Sequence, residues 1–142
     1  CKTLQEKLPG KVSLPGSPVY TSEESTYYSA LLSEMKPACR VTPESAKDVS
    51  IAMNILTRNQ CKFAVRSAGH MPWVGASNID APGVTFDMLK MNTVTVSDDR
   101  SVVRVGAGSR WGPFYDALDP HNLTVVGARS NTVGFGGYLL GG

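Results

Sequence analysis

Residues 63–70 read FAVRSAGH, a run typical of a β-strand that ends in a glycine-containing loop and closes on His70. The strand follows the clearest helical pattern in the chain, for which Thr42 is the predicted N-cap and Pro43 lies in the first turn, and which ends near residues 58–59. Loops at the ends of rigid strands tend to carry function, so His70 is a candidate site residue, although local hydrogen bonding alone often explains a loop histidine.

The other elements are short. Strands are predicted over residues 38–41, 84–88, 93–97, 102–105 and 123–126, the third and fourth of them joined by an Asp98-Asp99 turn. Apolar spacing predicts helices over 27–35 and 111–118, whereas Pro-Gly and Ser-Pro pairs predict an extended arm over residues 1–25. This order predicts an α+β layer architecture and not a regular βαβ winding.

Composition sets the broad class. The chain has 142 residues, of which 42% are hydrophobic and 18% charged, with a net charge of +2, values typical of one globular domain. The basic residues are scattered and no apolar run approaches the length of about 18 that a membrane span needs, so neither nucleic acid nor a membrane is predicted as a partner. Because the chain starts at Cys1 and stops in a glycine run, we expect a piece of a longer protein whose targeting peptide has been removed.

Cysteine spacing bears on the compartment. The chain has three cysteines, Cys1, Cys39 and Cys61, and no two of them form a CxxC pair. This spacing does not support a structural zinc site, so no metal site is predicted. A disulfide between Cys1 and Cys39 would staple the chain start to the first strand, with Cys61 as a buried free thiol. With the glycosylation sequon at Asn122, this predicts a secreted glycoprotein.

Two glycine-rich loops, Gly106–Gly108 and Gly134–Gly137, fail the dinucleotide fingerprint of a Rossmann fold, since the latter does not open into a helix within a βαβ unit. P-loop, HExxH and GxSxG motifs are absent from the sequence. The two loops are either ordinary turns or a backbone surface that approaches an anion such as pyrophosphate. His121 is interpreted as a surface residue.

Three segments in order, FAVRSAGH at 63–70, VVRVGAG at 102–108 and TVGFGGYLLGG at 132–142, strongly resemble the FAD-binding domain of berberine bridge enzyme-like oxidases. These oxidases belong to the vanillyl-alcohol oxidase (PCMH-type) flavoprotein superfamily, and the resemblance is closest to secreted fungal members. It implies an arm at 1–36, then an incomplete PCMH-type FAD-binding domain at 37–142 that covers its first subdomain and the start of the second.

The resemblance also implies the site. FAD would be joined covalently to His70 through its 8α-methyl carbon. The residues that would surround the pyrophosphate are Arg66, Ser67, Ala68, Gly69 and Met71, and those that would face the flavin are Ser130, Asn131, Thr132, Val133, Gly134, Gly136, Gly137 and Tyr138. Ser130 stands where many members have a second linking cysteine, which predicts a single link.

Three further positions matter for the comparison with the family: two differ from its usual residues, and one bears on how reduced FAD would react with oxygen. Ala68 replaces the glycine that family members usually have, and an alanine is tolerated there only if the residue does not adopt a positive φ. Tyr138 replaces a histidine near the flavin pyrimidine edge. Val133 occupies the position that gates oxygen, and its small side chain predicts reoxidation by O2.

The function implied is an oxidase that takes hydride from a carbohydrate or a secondary metabolite to FAD and passes the electrons to O2. The catalytic base and most of the substrate pocket would lie beyond Gly142, in the rest of the protein or in a separate chain. The alternative is a non-catalytic FAD- or metabolite-binding module, or an inactive fragment of such an oxidase.

Overall fold

The computed structural model describes residues 1–141. Its six helices and six strands, in that part of the chain, are α1 Lys2–Lys7, β1 Val12–Ser13, α2 Pro18–Ser25, α3 Ala30–Ser33, β2 Cys39–Val41, α4 Ala46–Arg58, β3 Phe63–Arg66, β4 Val84–Asp87, β5 Val94–Val96, β6 Val103–Val105, α5 Trp111–Leu118 and α6 Phe135–Gly141. Two 3₁₀ turns, Met88–Lys90 and Asp119–His121, complete the regular structure. The mixed helix and strand content confirms the predicted α+β class.

The main sheet has four strands in the order β1-β2-β4-β3, with β1 antiparallel and the others parallel. Helix α4 forms the crossover from β2 to β3, and β4 then inserts between them. All four residues of β4 are buried, as expected for a central parallel strand. The register pairs Arg66 with Asp87, so the loops after β3 and β4 leave the same edge of the sheet side by side.

Two apolar cores hold the fold together. The first packs α1 and α4 on the sheet through buried side chains such as Leu4, Ala52, Leu56 and Phe86. The second lies under the β5–β6 hairpin and contains Trp111, Phe114, Leu118, Ala128 and Phe135. Within it, the rings of Trp111 and Phe135 stack with centroids 4.0 Å apart, which ties α5 to α6.

The amino-terminal segment is not the extended arm that its Pro and Gly residues predict. It folds into α1, β1 and α2, because Pro18 occupies the first turn of α2, where a missing N–H costs nothing, and the Ser17 hydroxyl accepts the N–H of Tyr20 at 3.2 Å. The predicted disulfide is present and joins Cys1 to Cys39 of β2. Cys61 is free, as predicted, but half-buried.

Three further predictions of secondary structure are wrong. Helix α4 begins at Ala46 with Ser45 as its N-cap, whereas the Thr42 hydroxyl donates to Glu23 instead. The helical spacing at 27–35 yields only the short α3, and residues 123–126 form no strand within the described chain. The glycine-rich segment at 134–137 does open into a helix, α6, but the regular element before it is a 3₁₀ turn and not a strand, so it does not form the start of a βαβ unit, as predicted.

Asp48 at the start of α4 anchors the segment before β1. Its Oδ2 accepts the Lys11 ammonium at 2.6 Å and the Glu44 N–H at 2.9 Å. The Lys11 hydrogen bond, followed by the backbone bond, lowers the pKa of Asp48 to about 2. No helix within residues 1–141 is long and apolar enough to cross a membrane.

This lowered pKa predicts an acid-dependent loss of stability. The folded pKa of Asp48 lies below its unfolded value of about 3.9, so its contribution is present above about pH 4 and lost as the pH falls toward 2. We expect the Asp48→Asn variant to show a smaller drop in unfolding free energy across this interval, measured by urea titration at several pH values. The exposed Asp116→Asn serves as control; an Asp48→Asn drop equal to that of the wild type would contradict the assignment.

Candidate functional site: a cleft beside His70

The loop after β3 reaches the site through one residue in the left-handed region. Gly69 has a φ of +69°, and a Cβ there would lie 2.6 Å from Cδ1 of Tyr27, so only glycine fits. Ala68 is buried without a positive φ, which satisfies the condition set for an alanine at this position. The loop therefore turns at Gly69 and presents His70 at the sheet edge.

The imidazole of His70 is held from two sides. The ring of Tyr28 stacks on it with centroids 4.0 Å apart and an interplanar angle of 16°. Its Nε2 lies 3.2 Å from the Thr132 hydroxyl, which in turn lies 3.0 Å from the Ser130 hydroxyl. The first and third motif segments, 62 residues apart, thus meet at this side chain.

Ser67 joins the second motif segment to the other two. Its hydroxyl donates to the carbonyl of Ala107 at 2.7 Å and accepts the N–H of Gly136 at 3.3 Å. A Cβ at Gly134 would lie 2.5 Å from the Ser67 Oγ and 2.6 Å from the Ala68 nitrogen, so the backbones can approach this closely only with glycine there. The three segments form one continuous surface.

This surface is one wall of a cleft of about 610 Å³. The predicted site residues that line it are Ser67, Ala68, Gly69, His70, Met71, Val133, Gly134, Gly136, Gly137 and Tyr138. The lining residues that the sequence did not indicate are Val65, Pro72, Ala76, Ser77, Met88, Ala107, Leu140 and Gly141. Four of these residues lie inside the motif segments and could have been found there: Val65 in the first, Ala107 in the second, and Leu140 and Gly141 in the third.

Four predicted contacts lie outside the lining of the cleft: Arg66, Ser130, Asn131 and Thr132. Thr132 and Ser130 still reach the site through His70. The Asn131 carbonyl accepts the N–H of Gly112, which places it against α5. Their contact with FAD stays a prediction.

The Arg66 side chain points into the protein. It is fully buried, donates to the carbonyls of Glu23 and Thr26 at 2.9 Å each, and lies 3.1 Å from the Asp87 carboxylate. Its guanidinium sits 3.9 Å from the centre of the Tyr27 ring. Burial lowers the pKa of Arg66 from its ordinary value, against the pull of Asp87. Only the backbone of Arg66 is therefore available to a ligand in the cleft.

Arg66 belongs to a buried charge network. Arg40 pairs with the carboxylates of Glu24 and Asp87, and the Asn78 amide donates to Glu24 at 2.8 Å. The members come from α2, β2, β3, β4 and the loop before β4, so the network locks the sheet edge from which the His70 loop leaves. Among residues 1–141, no group of three or more His, Cys, Asp or Glu is placed to hold a metal ion.

The glycines of the second motif have a packing role. A Cβ at Gly106 would lie 2.1 Å from the Met91 carbonyl oxygen, and one at Gly108 would lie 1.8 Å from that of Met88. The loop therefore lies flat on the 3₁₀ turn that follows β4. This contact sets the position of Ala107, and through it that of Ser67.

Comparison with known proteins places this architecture. Residues 37–142 match the family model described as "FAD binding domain". The chain belongs to that family. Across its whole length, this FAD-binding domain is 40% identical to the FAD-dependent monooxygenase sdcF of Emericella nidulans, of which it covers 30%. The domain thus spans less than a third of the length of that curated relative.

Solved structures share the fold of this FAD-binding domain. It superposes on Phl p 4, a grass pollen allergen with glucose dehydrogenase activity, with a TM-score of 0.80 and 24% identity over 94% of this chain and 29% of that one. The TM-score against the BBE-like 1 protein of Physcomitrella patens is 0.80, with 22% identity over 96% and 29% of the two chains. These neighbours agree with the berberine bridge enzyme-like resemblance and with a PCMH-type fold.

Proposed function

We propose that this chain is the FAD-binding part of an FAD-dependent oxidase and that it carries FAD on His70 through a single covalent bond. The observation that carries the proposal is the convergence of three separate motif segments on one cleft, with His70 in its wall. A histidine that is half-buried, stacked and hydrogen-bonded at a cleft is oriented for a ligand and not merely solvated.

The residues present fit FAD. Gly134 and Gly136 let the backbone of the third motif segment lie directly against Ser67 and Ala107, because a Cβ at either glycine would meet one or both of those residues. Apolar side chains in the cleft wall, such as Val133 and Met88, suit a flat ring system. His70 offers an imidazole nitrogen as nucleophile. In the position that many family members give to a second linking cysteine, Ser130 offers a hydroxyl, which supports one link and not two.

The covalent bond would join an imidazole nitrogen of His70 to the 8α-methyl carbon of FAD. The bond would form with the loss of one proton from the methyl group and one from the imidazole, and O2 would take up the two electrons released and become hydrogen peroxide. The chemistry that FAD supplies when bound is acceptance of hydride from a substrate carbon. The residues of the cleft wall, such as Val133 and Gly136, would hold the ring system, and Tyr28 and Thr132 orient His70.

The proposal extends to the acceptor and the substrate. O2 as acceptor is supported by the half-buried Val133 in the cleft wall and by the relative's name, monooxygenase. A carbohydrate or a secondary metabolite is proposed as substrate, the former in line with the glucose dehydrogenase activity of Phl p 4. Since the domain spans under a third of its relative, we propose that the rest of the protein supplies the catalytic base and most of the substrate pocket.

A secretory location is part of the same proposal. The Cys1–Cys39 disulfide supports an oxidising compartment, where such bonds persist. Asn122 of the sequon is exposed at the end of the second 3₁₀ turn, where an oligosaccharide would meet solvent.

Replacing His70 by alanine is expected to abolish the covalent bond. The wild-type chain, produced with the rest of its protein, should keep FAD after denaturation, seen as a mass increase equal to FAD on the tryptic peptide that contains His70. In His70→Ala this increase should be lost entirely. The matched control is His121→Ala, the other histidine of the chain, which should keep it.

An unmodified wild-type peptide whose flavin is released on denaturation would overturn the covalent link but keep the FAD site. An unmodified peptide without flavin absorbance would instead favour a non-catalytic module or an inactive fragment.

A further inference from the structure

The contacts of the His70 ring differ between its two nitrogens. Nε2 faces the Thr132 hydroxyl at 3.2 Å, whereas no hydrogen bond from residues 1–141 reaches Nδ1. We propose that Tyr28, Thr132 and Ser130 are positioning residues that fix the plane of the His70 ring and hold it as the Nε2–H tautomer. This proposal rests on the proposed function, because the orientation of His70 matters only if this side chain forms the bond to FAD.

The tautomer follows from what each nitrogen must do. A nitrogen that forms a bond to carbon needs a free lone pair, and in a neutral imidazole only one nitrogen has it. If Nε2–H donates to Thr132, then Nδ1 keeps its lone pair and faces no competing donor. The hydrogen bond at one nitrogen thereby selects the other as the nucleophile.

The hydroxyls of Thr132 and Ser130 also give the proton a place to go. When Nδ1 forms a bond, the ring becomes positively charged until Nε2 gives up its proton. Thr132 accepts at 3.2 Å and can donate to Ser130 at 3.0 Å, and both residues are exposed to solvent. The pair is a two-hydroxyl path from Nε2 to water. Ser130 thus has a role of its own at this position.

Tyr28 fixes the ring plane from a part of the chain that the family model does not match. Its ring stacks on His70, and its backbone N–H donates to the Gly69 carbonyl at 3.3 Å, so it holds both the loop and the side chain. Tyr28 is otherwise open to solvent, with 68% of its surface exposed. An aromatic ring left so open to water is hard to explain by core packing, and the stack on His70 accounts for it.

The test uses the flavin-free 142-residue chain labelled with ¹⁵N. Long-range ¹H–¹⁵N correlation at a pH where the ring is neutral gives the tautomer of His70, assigned against His121→Asn. We expect mainly Nε2–H in the wild type. Thr132→Val should move the ratio toward Nδ1–H by about five-fold, the effect of losing one hydrogen bond of about 1 kcal/mol, and the conservative Thr132→Ser should restore it.

The stack has a separate signature. The Tyr28 ring should shift the carbon-bound protons of His70 upfield; Tyr28→Phe should keep this shift and Tyr28→Leu should lose it. A tautomer ratio that is the same in wild type and Thr132→Val, or proton shifts that are the same in Tyr28→Leu, would overturn the proposal. If His70 proves never to carry FAD, these spectra still report the tautomer, so the two failures are distinguishable.

Discussion

The Asp87→Asn variant is expected to lose about 3–5 kcal/mol of unfolding free energy, because the substitution removes one partner of a buried ion pair and leaves guanidinium charge uncompensated. Asp87 is fully buried, and its Oδ2 accepts from both Arg40 and Arg66. For Arg66 this is the only ion pair within the described residues. An arginine cannot escape by losing its proton, so the cost falls on the folded state.

Asp87 also holds the turn that follows it. Its Oδ1 accepts the N–H of Leu89 at 3.0 Å and so caps the 3₁₀ turn Met88–Lys90. An asparagine can still accept there, so the loss measured for Asp87→Asn reports the charge and not the cap. The free energy is measured by urea titration at neutral pH.

The control for this loss is Asp98→Asn, an exposed carboxylate in the β5–β6 turn, which should change stability by less than about 0.5 kcal/mol. A loss for Asp87→Asn no larger than that of Asp98→Asn would show that the buried network does not stabilise the sheet edge.

The network also explains the limits of sequence reasoning here. The sequence predicts that Arg66 lies beside a ligand, because its neighbours in the sequence belong to the first motif segment. Its actual partners lie 21 residues away at Asp87 and 40 away at Thr26, and no local pattern links them. Local signals predicted what local chemistry decides, namely the strand into His70, helix α5 and the β5–β6 hairpin.

Other predictions were wrong or missing for the same reason, namely that the deciding contacts come from residues distant in the sequence. Residues 123–126 have strand-like composition, yet Val125 and Val126 stay exposed because no partner strand lies beside them in residues 1–141, and β-propensity takes effect only with a partner. Tyr28 gave no signal as a site residue, since its contact with His70 arises only when the amino-terminal segment folds over the sheet edge. The motif residues could be found by resemblance, but the residues that position them could not.

The Gly108→Ala variant should show a second large effect, a loss of about 3 kcal/mol or more. The added Cβ would lie 1.8 Å from the Met88 carbonyl oxygen and 2.5 Å from its carbon. These are backbone atoms of a capped turn and cannot rotate away as a flexible side chain does. The loop must therefore lift off the turn, which shifts Ala107 and breaks its hydrogen bond with Ser67.

The control isolates the collision from the mere addition of a methyl group. Gly141 in α6 has nothing within 4 Å of an added Cβ, so Gly141→Ala should lose no stability, and the higher helix propensity of alanine should raise it slightly. Urea titration of the two variants gives the comparison. Equal stability of Gly108→Ala and wild type would mean that the loop does not rest on the turn. The expected loss would instead show that the 3₁₀ turn after β4 supports the Ala107 loop, because Gly108 packs on the Met88 carbonyl of a turn that Asp87 caps at its start.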